Sequence, residues 1–265
     1  MSESFFKKYN PNRAADWNYG GSKWKLSRSK IDAFVECPRC FYLDNKLGTK
    51  RPGMPSFNLN LAVDTLFKKE FDIHRSAKSV HPLCLKYSID AIPFSHPELE
   101  NWRDPFVGIM YQDPATNLLV SGGVDDIWQK PDGTLIIVDY KATSKEGTIA
   151  KLGDSPWEQQ YTRQLGVYRW LLEKNGFTVD PMGYLVYANA NSKEDAFDYT
   201  LTFETTLVNC PTDTAWIEDT LHKIKAALES PTLPIIGPNC EYCPYREAAG
   251  KKLQAIHHAQ KKLTA

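Results

Sequence analysis

Apolar positions along the chain change period several times, and each change marks an element. After a polar, aromatic first stretch (residues 1–25) punctuated by Asn, Pro and Gly, Ile31, Phe34, Val35, Phe41, Tyr42 and Leu43 trace one helix from Ser27 or Ser29 to about Leu47, ended by Gly48. The run RPGMPS at 51–56 breaks it. A second helix is predicted from Asn58 to Arg75, with Leu59, Val63, Leu66 and Phe67 as its buried stripe and Glu70 and His74 on the same stripe. Residues 76–105 carry several prolines and no clear period. Strand patterns follow at Val107–Tyr111, Leu118–Trp128 and Thr134–Tyr140, the last two joined by Asp132-Gly133, where Gly tolerates the positive φ of a hairpin turn. Trp157, Tyr161, Leu165, Tyr168 and Leu172 mark one face of a helix over Trp157–Lys174, stopped by Asn175-Gly176. Gly183–Tyr187 reads as a further strand, Phe197–Phe203 as an edge strand, and Thr214–Glu229 and Tyr245–Leu263 as closing helices. The central order of helix, three strands, helix, strand predicts an α/β fold, a mixed sheet flanked by helices.

Two carboxylates and a lysine stand out in that sheet. Asp139 and Lys141 are two apart on one strand and share a face of the pleat. The turn at Asp132-Gly133 places Asp125 opposite Asp139, while Asp126 points to the other face and reads as structural. Adjacent carboxylates repel, so one tends to protonate unless a cation relieves them. Hard Mg²⁺ (or Mn²⁺) suits a few carboxylate oxygens plus water, and a neighbouring ammonium can orient water or stabilise charge on a phosphate. The apolar run Leu135–Val138 buries the strand just before the charges emerge.

Six cysteines include two C-x-x-C pairs, Cys37/Cys40 and Cys240/Cys243, which together form a four-thiolate metal signal joining the N- and C-terminal segments. Such a set suits zinc or an iron–sulfur cluster. Cys84 and Cys210 lack ligand spacing and read as buried thiols.

Composition alters this picture little. The chain has 265 residues, 42% hydrophobic and 24% charged, an ordinary globular balance. Its 32 basic and 32 acidic residues cancel, so a nucleic-acid surface would have to be local; Lys23, Lys25, Arg28 and Lys30 cluster early. No apolar run approaches the roughly 18 residues of a membrane span, and no signal-type stretch opens the chain, so the expectation is a cytoplasmic protein without membrane contact.

Gly-x-Val-Asp ending at Asp125, followed by Val-Asp-Tyr-Lys ending at Lys141, resembles the PD-(D/E)XK nuclease superfamily. With Gln164 and Tyr168 as Q-x-x-x-Y on the next helix, it is similar to the RecB-like branch, which includes CRISPR-adaptation and helicase-associated exonucleases. The resemblance spans roughly 27–246. It implies a restriction-endonuclease-like core and a Mg²⁺-dependent nuclease acting on DNA, on single strands or ends. A helicase or another DNA-repair or defence protein would be a further partner. It implies catalytic roles for Asp125, Asp139, Lys141, Gln164 and Tyr168. Asp125 and Asp139 would hold the metal, and Trp157 and Tyr161 could stack bases, with core packing the default for Trp157. By the same resemblance the four cysteines would hold a [4Fe–4S] cluster, with Zn²⁺ as the alternative. Two departures stand. The leading helix carries Asn60 and Asp64 where the family commonly has Gly and His, which leaves Asp64 or Glu70 as its metal ligand, and the cysteines divide two and two. The rival expectations are an inert binding module of the same fold, and a metal-stapled protein whose charge cluster is an ion-pair network. In segments, 1–57 is an arm and helix with the first cysteine pair, 58–210 the nuclease core, and 211–265 helices with the second pair, within one domain over 1–265.

Overall fold

The structure is a computed structural model that describes residues 10–51 and 57–263. Residues 52–56 of the expected breaker and the first nine residues of the expected N-terminal arm lie outside them. The chain forms two compact units, one of residues 54–218 and one of residues 1–53 with 219–265.

The larger unit holds a five-stranded mixed sheet in the order β2 (Ile92–Pro93), β5 (Asp126–Gln129), β6 (Leu135–Thr143), β7 (Met182–Ala190), β8 (Phe203–Pro211). β5 and β6 are the predicted hairpin, antiparallel with Asp126 opposite Val138 and turned through Gly133 at φ 89°. β6 and β7 are parallel, as their helical crossover α6 (Pro156–Lys174) requires. A capping box between Ser155 and Glu158, with Pro156 in the first turn, starts α6.

β6 is buried from Leu135 to Tyr140, and its two faces serve different helices. Ile136, Val138 and Tyr140 join Trp128, Phe67 and Phe71 in the core beneath α3 (Asn58–Ala77). Asp139 and Lys141 alternate with them and face the opposite side, where α6 brings Gln164.

Four expectations are corrected. The strand expected over Leu118–Trp128 is two strands: β4 (Leu118–Gly122) pairs antiparallel with β3 (Ile109–Asp113), apart from the five-stranded sheet, and β5 begins only at Asp126. The chain swings between them at Gly122-Gly123. A Cβ at Gly122 would lie 2.9 Å from Tyr168 Cε1, and one at Gly123 3.2 Å from Pro105 Cα. The edge strand is β8, later than Phe197–Phe203. On α3 the buried face centres on Phe67 and Phe71, leaving Leu59 and Leu66 about 60% exposed (59% and 62%). Phe67 stacks on Tyr140 and Phe71 on Trp128, and this larger aromatic surface sets the roll of the helix. Residues 76–105, without a clear period in sequence, supply α4 (Pro82–Lys86), β2 and α5 (Leu99–Arg103).

The smaller unit contains the two-residue strand β1 (Leu26–Ser27), α1 (Arg28–Glu36), α2 (Pro38–Asn45), most of α7 (Ile217–Glu229), and α8 (Tyr242–Leu263). Its first helix is the fourth correction: the predicted helix breaks at Cys37, which is extended (φ −159°, ψ 101°). Pro38 disfavours helical geometry in the residue before it and then occupies the first turn of α2. The early basic residues are partnered locally: Lys23 lies over Trp17, Lys30 over Trp24, and Arg28 pairs with Asp32. No helix among the described residues is long and apolar enough to cross a membrane.

Candidate active site and thiolate centre

Asp139 is fully buried at the centre of the larger unit. Its Oδ1 accepts a 2.8 Å hydrogen bond from Gln164 Nε2, and its Oδ2 pairs with the Lys141 ammonium. Gln164 also donates to the Tyr168 hydroxyl at 2.9 Å. The buried amide therefore has partners for its donors, and both lie in the Asp139 cluster. Lys141 lies over the Tyr161 ring, 4.7 Å from its centroid. Asp125 precedes β5 by one residue. Its Oδ2 accepts the Tyr140 N–H at 3.1 Å, while its Oδ1 faces Lys68 Nζ at 3.4 Å. Lys68 in turn holds Asp64 at 2.9 Å, one helical turn earlier on α3.

The charges diverge as adjacent carboxylates should. Burial, together with the Asp125 charge, pushes the Asp139 carboxyl up to about 7, against the opposing pull of Lys141. Burial also acts to raise Asp125, but Lys141, Lys68 and the Tyr140 N–H outweigh it and hold that carboxyl below its ordinary value. Asp64 is raised by burial and by Asp125. Burial acts to lower Lys141 and Lys68, yet the surrounding carboxylates raise both.

Sequence reasoning anticipated Asp125, Asp139, Lys141, Gln164 and Tyr168, and the structure brings all five together. Of the two helix candidates, Asp64 reaches the cluster. Glu70 is exposed and accepts from His81 Nε2 at 3.0 Å. Asp126 faces away, as expected, and accepts from Arg75 (2.5 Å), Arg103 (3.2 Å) and the Tyr140 hydroxyl (2.6 Å). Trp157 is 63% exposed and does not pack in the core. Lys68 was missed, because Asp64/Lys68 at i,i+4 reads in sequence as an ordinary surface pair.

In the smaller unit the Sγ atoms of Cys37, Cys40, Cys240 and Cys243 all lie within 4.8 Å of one another. The Sγ–Sγ separations are 3.8 Å for Cys37–Cys243 and 3.5 Å for Cys40–Cys240 and Cys40–Cys243. The break before Pro38 makes Cys37 the cap of α2, its Sγ accepting the Cys40 N–H. The Gly237 N–H donates to the same sulfur at 3.3 Å. A Cβ at Gly237 would lie 1.9 Å from the Glu36 carbonyl oxygen, so only glycine allows this approach. Burial raises the Cys37 thiol, but these N–H donors and the neighbouring thiols bring it down to about 7. Burial raises Cys40 and Cys243. The Arg246 guanidinium lies 3.3 Å from Cys40 Sγ and 3.2 Å from Cys243 Sγ. Four convergent thiols with N–H and guanidinium donors are a fit for a thiophilic metal. Cys84 and Cys210 are buried in the larger unit, and burial raises their thiols to about 12 and about 11.

A mixed sheet with a helical crossover, two carboxylates and a lysine at the hairpin, and a glutamine on the following helix together define a class. Residues 86–248 match the sequence model of the PD-(D/E)XK nuclease superfamily, and the chain belongs to it. The solved structure of SSO0001 is similar at 15% identity over 79% of each chain, with a TM-score of 0.33. None of the curated proteins matches the chain.

Proposed function

We propose that this chain is a RecB-like, Mg²⁺-dependent nuclease that hydrolyses phosphodiester bonds in DNA, on single strands or at ends. The observation that carries the reading is the buried Asp139 carboxylate, gripped by Gln164 and Lys141 beside the half-buried Asp125. A buried, repelling carboxylate pair is costly in a fold, and a divalent cation relieves it. Asp125 and Asp139 would hold that cation, with Asp64 beside them on α3 and paired to Lys68. When bound, it supplies Lewis-acid stabilisation of charge on the phosphodiester. Gln164 fixes the orientation of Asp139, and Tyr168 supports Gln164. Lys141, kept protonated by its carboxylates, lies where it can stabilise negative charge on the phosphate. Tyr161 and the exposed Trp157 offer faces on which bases can stack.

For the four cysteines we favour one tetrahedral ion, zinc, over a [4Fe–4S] cluster. Zinc–sulfur bonds of about 2.3 Å put thiolate sulfurs about 3.8 Å apart, close to the spacings here. A cubane carries each thiolate on a different iron and spreads them further.

The test is a substrate panel: end-labelled single- and double-stranded DNA and RNA, with Mg²⁺ or Mn²⁺, against wild-type, Asp139→Ala and Lys141→Ala protein purified without oxygen. Cleavage of DNA lost in both variants supports the reading, and the chain-length pattern separates end-directed from internal cutting. Tight DNA binding without cleavage by folded wild-type protein would replace it with an inert binding module. Zinc in elemental analysis, against a visible iron–sulfur absorption band, decides the thiolate metal.

A further inference from the structure

α3 contributes an ammonium group to the acidic cluster where a metal ligand was expected. Lys68 Nζ is 2.9 Å from Asp64 Oδ2 and 3.4 Å from Asp125 Oδ1, and the lysine is half-buried. Asp64 lies four residues N-terminal to Lys68, the favourable orientation for an acid–base pair on a helix. An exposed pair of this kind contributes little. This one differs, because its lysine also reaches Asp125 from another element. Asp125 is thereby occupied on both oxygens, Oδ2 by the Tyr140 N–H and Oδ1 by Lys68.

Two-metal sites place their ions about 3.5–4 Å apart, so a second ion here would draw on the same few carboxylate oxygens as the first. Asp125 Oδ1, one of the few oxygens a second ion could use, already faces the Lys68 ammonium at 3.4 Å. Charge argues the same way. With Asp64, Asp125 and Asp139 ionised against Lys68 and Lys141, the cluster carries one net negative charge. One dication makes it +1 and a second would make it +3. Without Lys68 the same two dications leave it at +2.

We infer that Lys68 is a built-in cation that limits the carboxylate cluster to a single divalent ion, with Asp64 holding the lysine instead of ligating metal. This rests on the reading that Asp125 and Asp139 hold such an ion. Lys68 thus takes, in part, the electrostatic place of a second metal.

The experiment counts Mn²⁺ bound to the full chain, its thiolate centre loaded, from the electron paramagnetic resonance signal of free Mn²⁺. Wild type, Lys68→Met, Lys68→Gln, Lys68→Arg and Asp139→Asn are compared, each checked for folding by its melting curve. The expected result is one Mn²⁺ for wild type and Lys68→Arg, and a second ion for Lys68→Met and Lys68→Gln with about tenfold tighter binding of the first. Two ions in wild type would overturn the inference, as would one ion of unchanged affinity in both neutral variants, and neither result disturbs the nuclease reading. Mn²⁺ binding that is absent in wild type, or unaffected by Asp139→Asn, would instead remove the metal site on which the inference stands.

Discussion

Gln164 shows how one side chain ties helix to strand at this site. Its amide occupies a buried position on α6 and satisfies itself on Asp139 and Tyr168. Gln164→Leu keeps the bulk, removes both bonds and frees the Asp139 carboxylate to turn. On this account kcat falls about 10–100-fold while KM changes little, as for other groups that orient a metal ligand; an unchanged kcat would show that Asp139 needs no such hold. Gln164 was visible in the sequence because, with Tyr168, it completes a Q-x-x-x-Y spacing on the helix after the lysine strand. Lys68 was invisible, since nothing in its local spacing distinguishes a pair aimed at a neighbouring strand from one aimed at water. His81 offers a separate test. Its Nδ1 accepts the Leu83 N–H, capping α4, and Nε2 pairs with Glu70, so the ring is held in one tautomer. Burial lowers its pKa below 6.5 despite Glu70. Its stabilising contribution is therefore complete above about pH 6.5, the unfolded value, and is lost as pH falls through the lower folded value. His81→Asn retains a capping acceptor and cannot titrate. Its melting temperature should fall less than that of wild type between pH 7.5 and 5, and parallel falls would contradict this.

At the scale of elements, the hairpin and the crossover were legible because their signals are local: Asp132-Gly133 for the turn, and a helical period between two apolar strands. The split between β4 and β5 was not. Period-two alternation continues across Gly122-Gly123 while the backbone leaves the sheet, and that turn delivers Asp125 to Asp139. The helix break at Cys37 was likewise hidden under a continuous apolar pattern, although Pro38 carried the signal. Gly122→Ala tests the coupling of backbone to site. The new Cβ would meet Tyr168 at 2.9 Å, so the ring, and Gln164 with it, must shift. Activity should drop at least about tenfold with a destabilisation of about 1–3 kcal/mol. Unaltered kinetics would mean that Tyr168 is not a support of the site. On the other sheet face, Asp126→Ala leaves Arg75 and Arg103 facing an empty buried position. It should cost about 3–5 kcal/mol in chemical denaturation; a loss below about 1 kcal/mol would show that these arginines find other partners.

Across the whole molecule, the sequence revealed two centres of chemistry: a carboxylate–lysine site in the larger unit and a thiolate site in the smaller. The C-x-x-C spacing disclosed which cysteines converge, but the donors that tune them, Gly237 and Arg246, come from positions with no motif of their own. Stripping the thiolate metal should lower the melting temperature by roughly 10 °C or more, since binding free energy at such sites is folding free energy; an unchanged melt after verified metal loss would make the centre dispensable for folding. The central claim is that Asp139 anchors phosphodiester hydrolysis. Single-turnover cleavage of end-labelled single-stranded DNA in Mg²⁺ by wild-type and Asp139→Asn protein tests it most directly. The account predicts cleavage by wild type and a rate lower by at least about 10²–10³-fold in the variant, with DNA binding retained. Equal rates in the two proteins, or no cleavage by metal-loaded wild type, would contradict it.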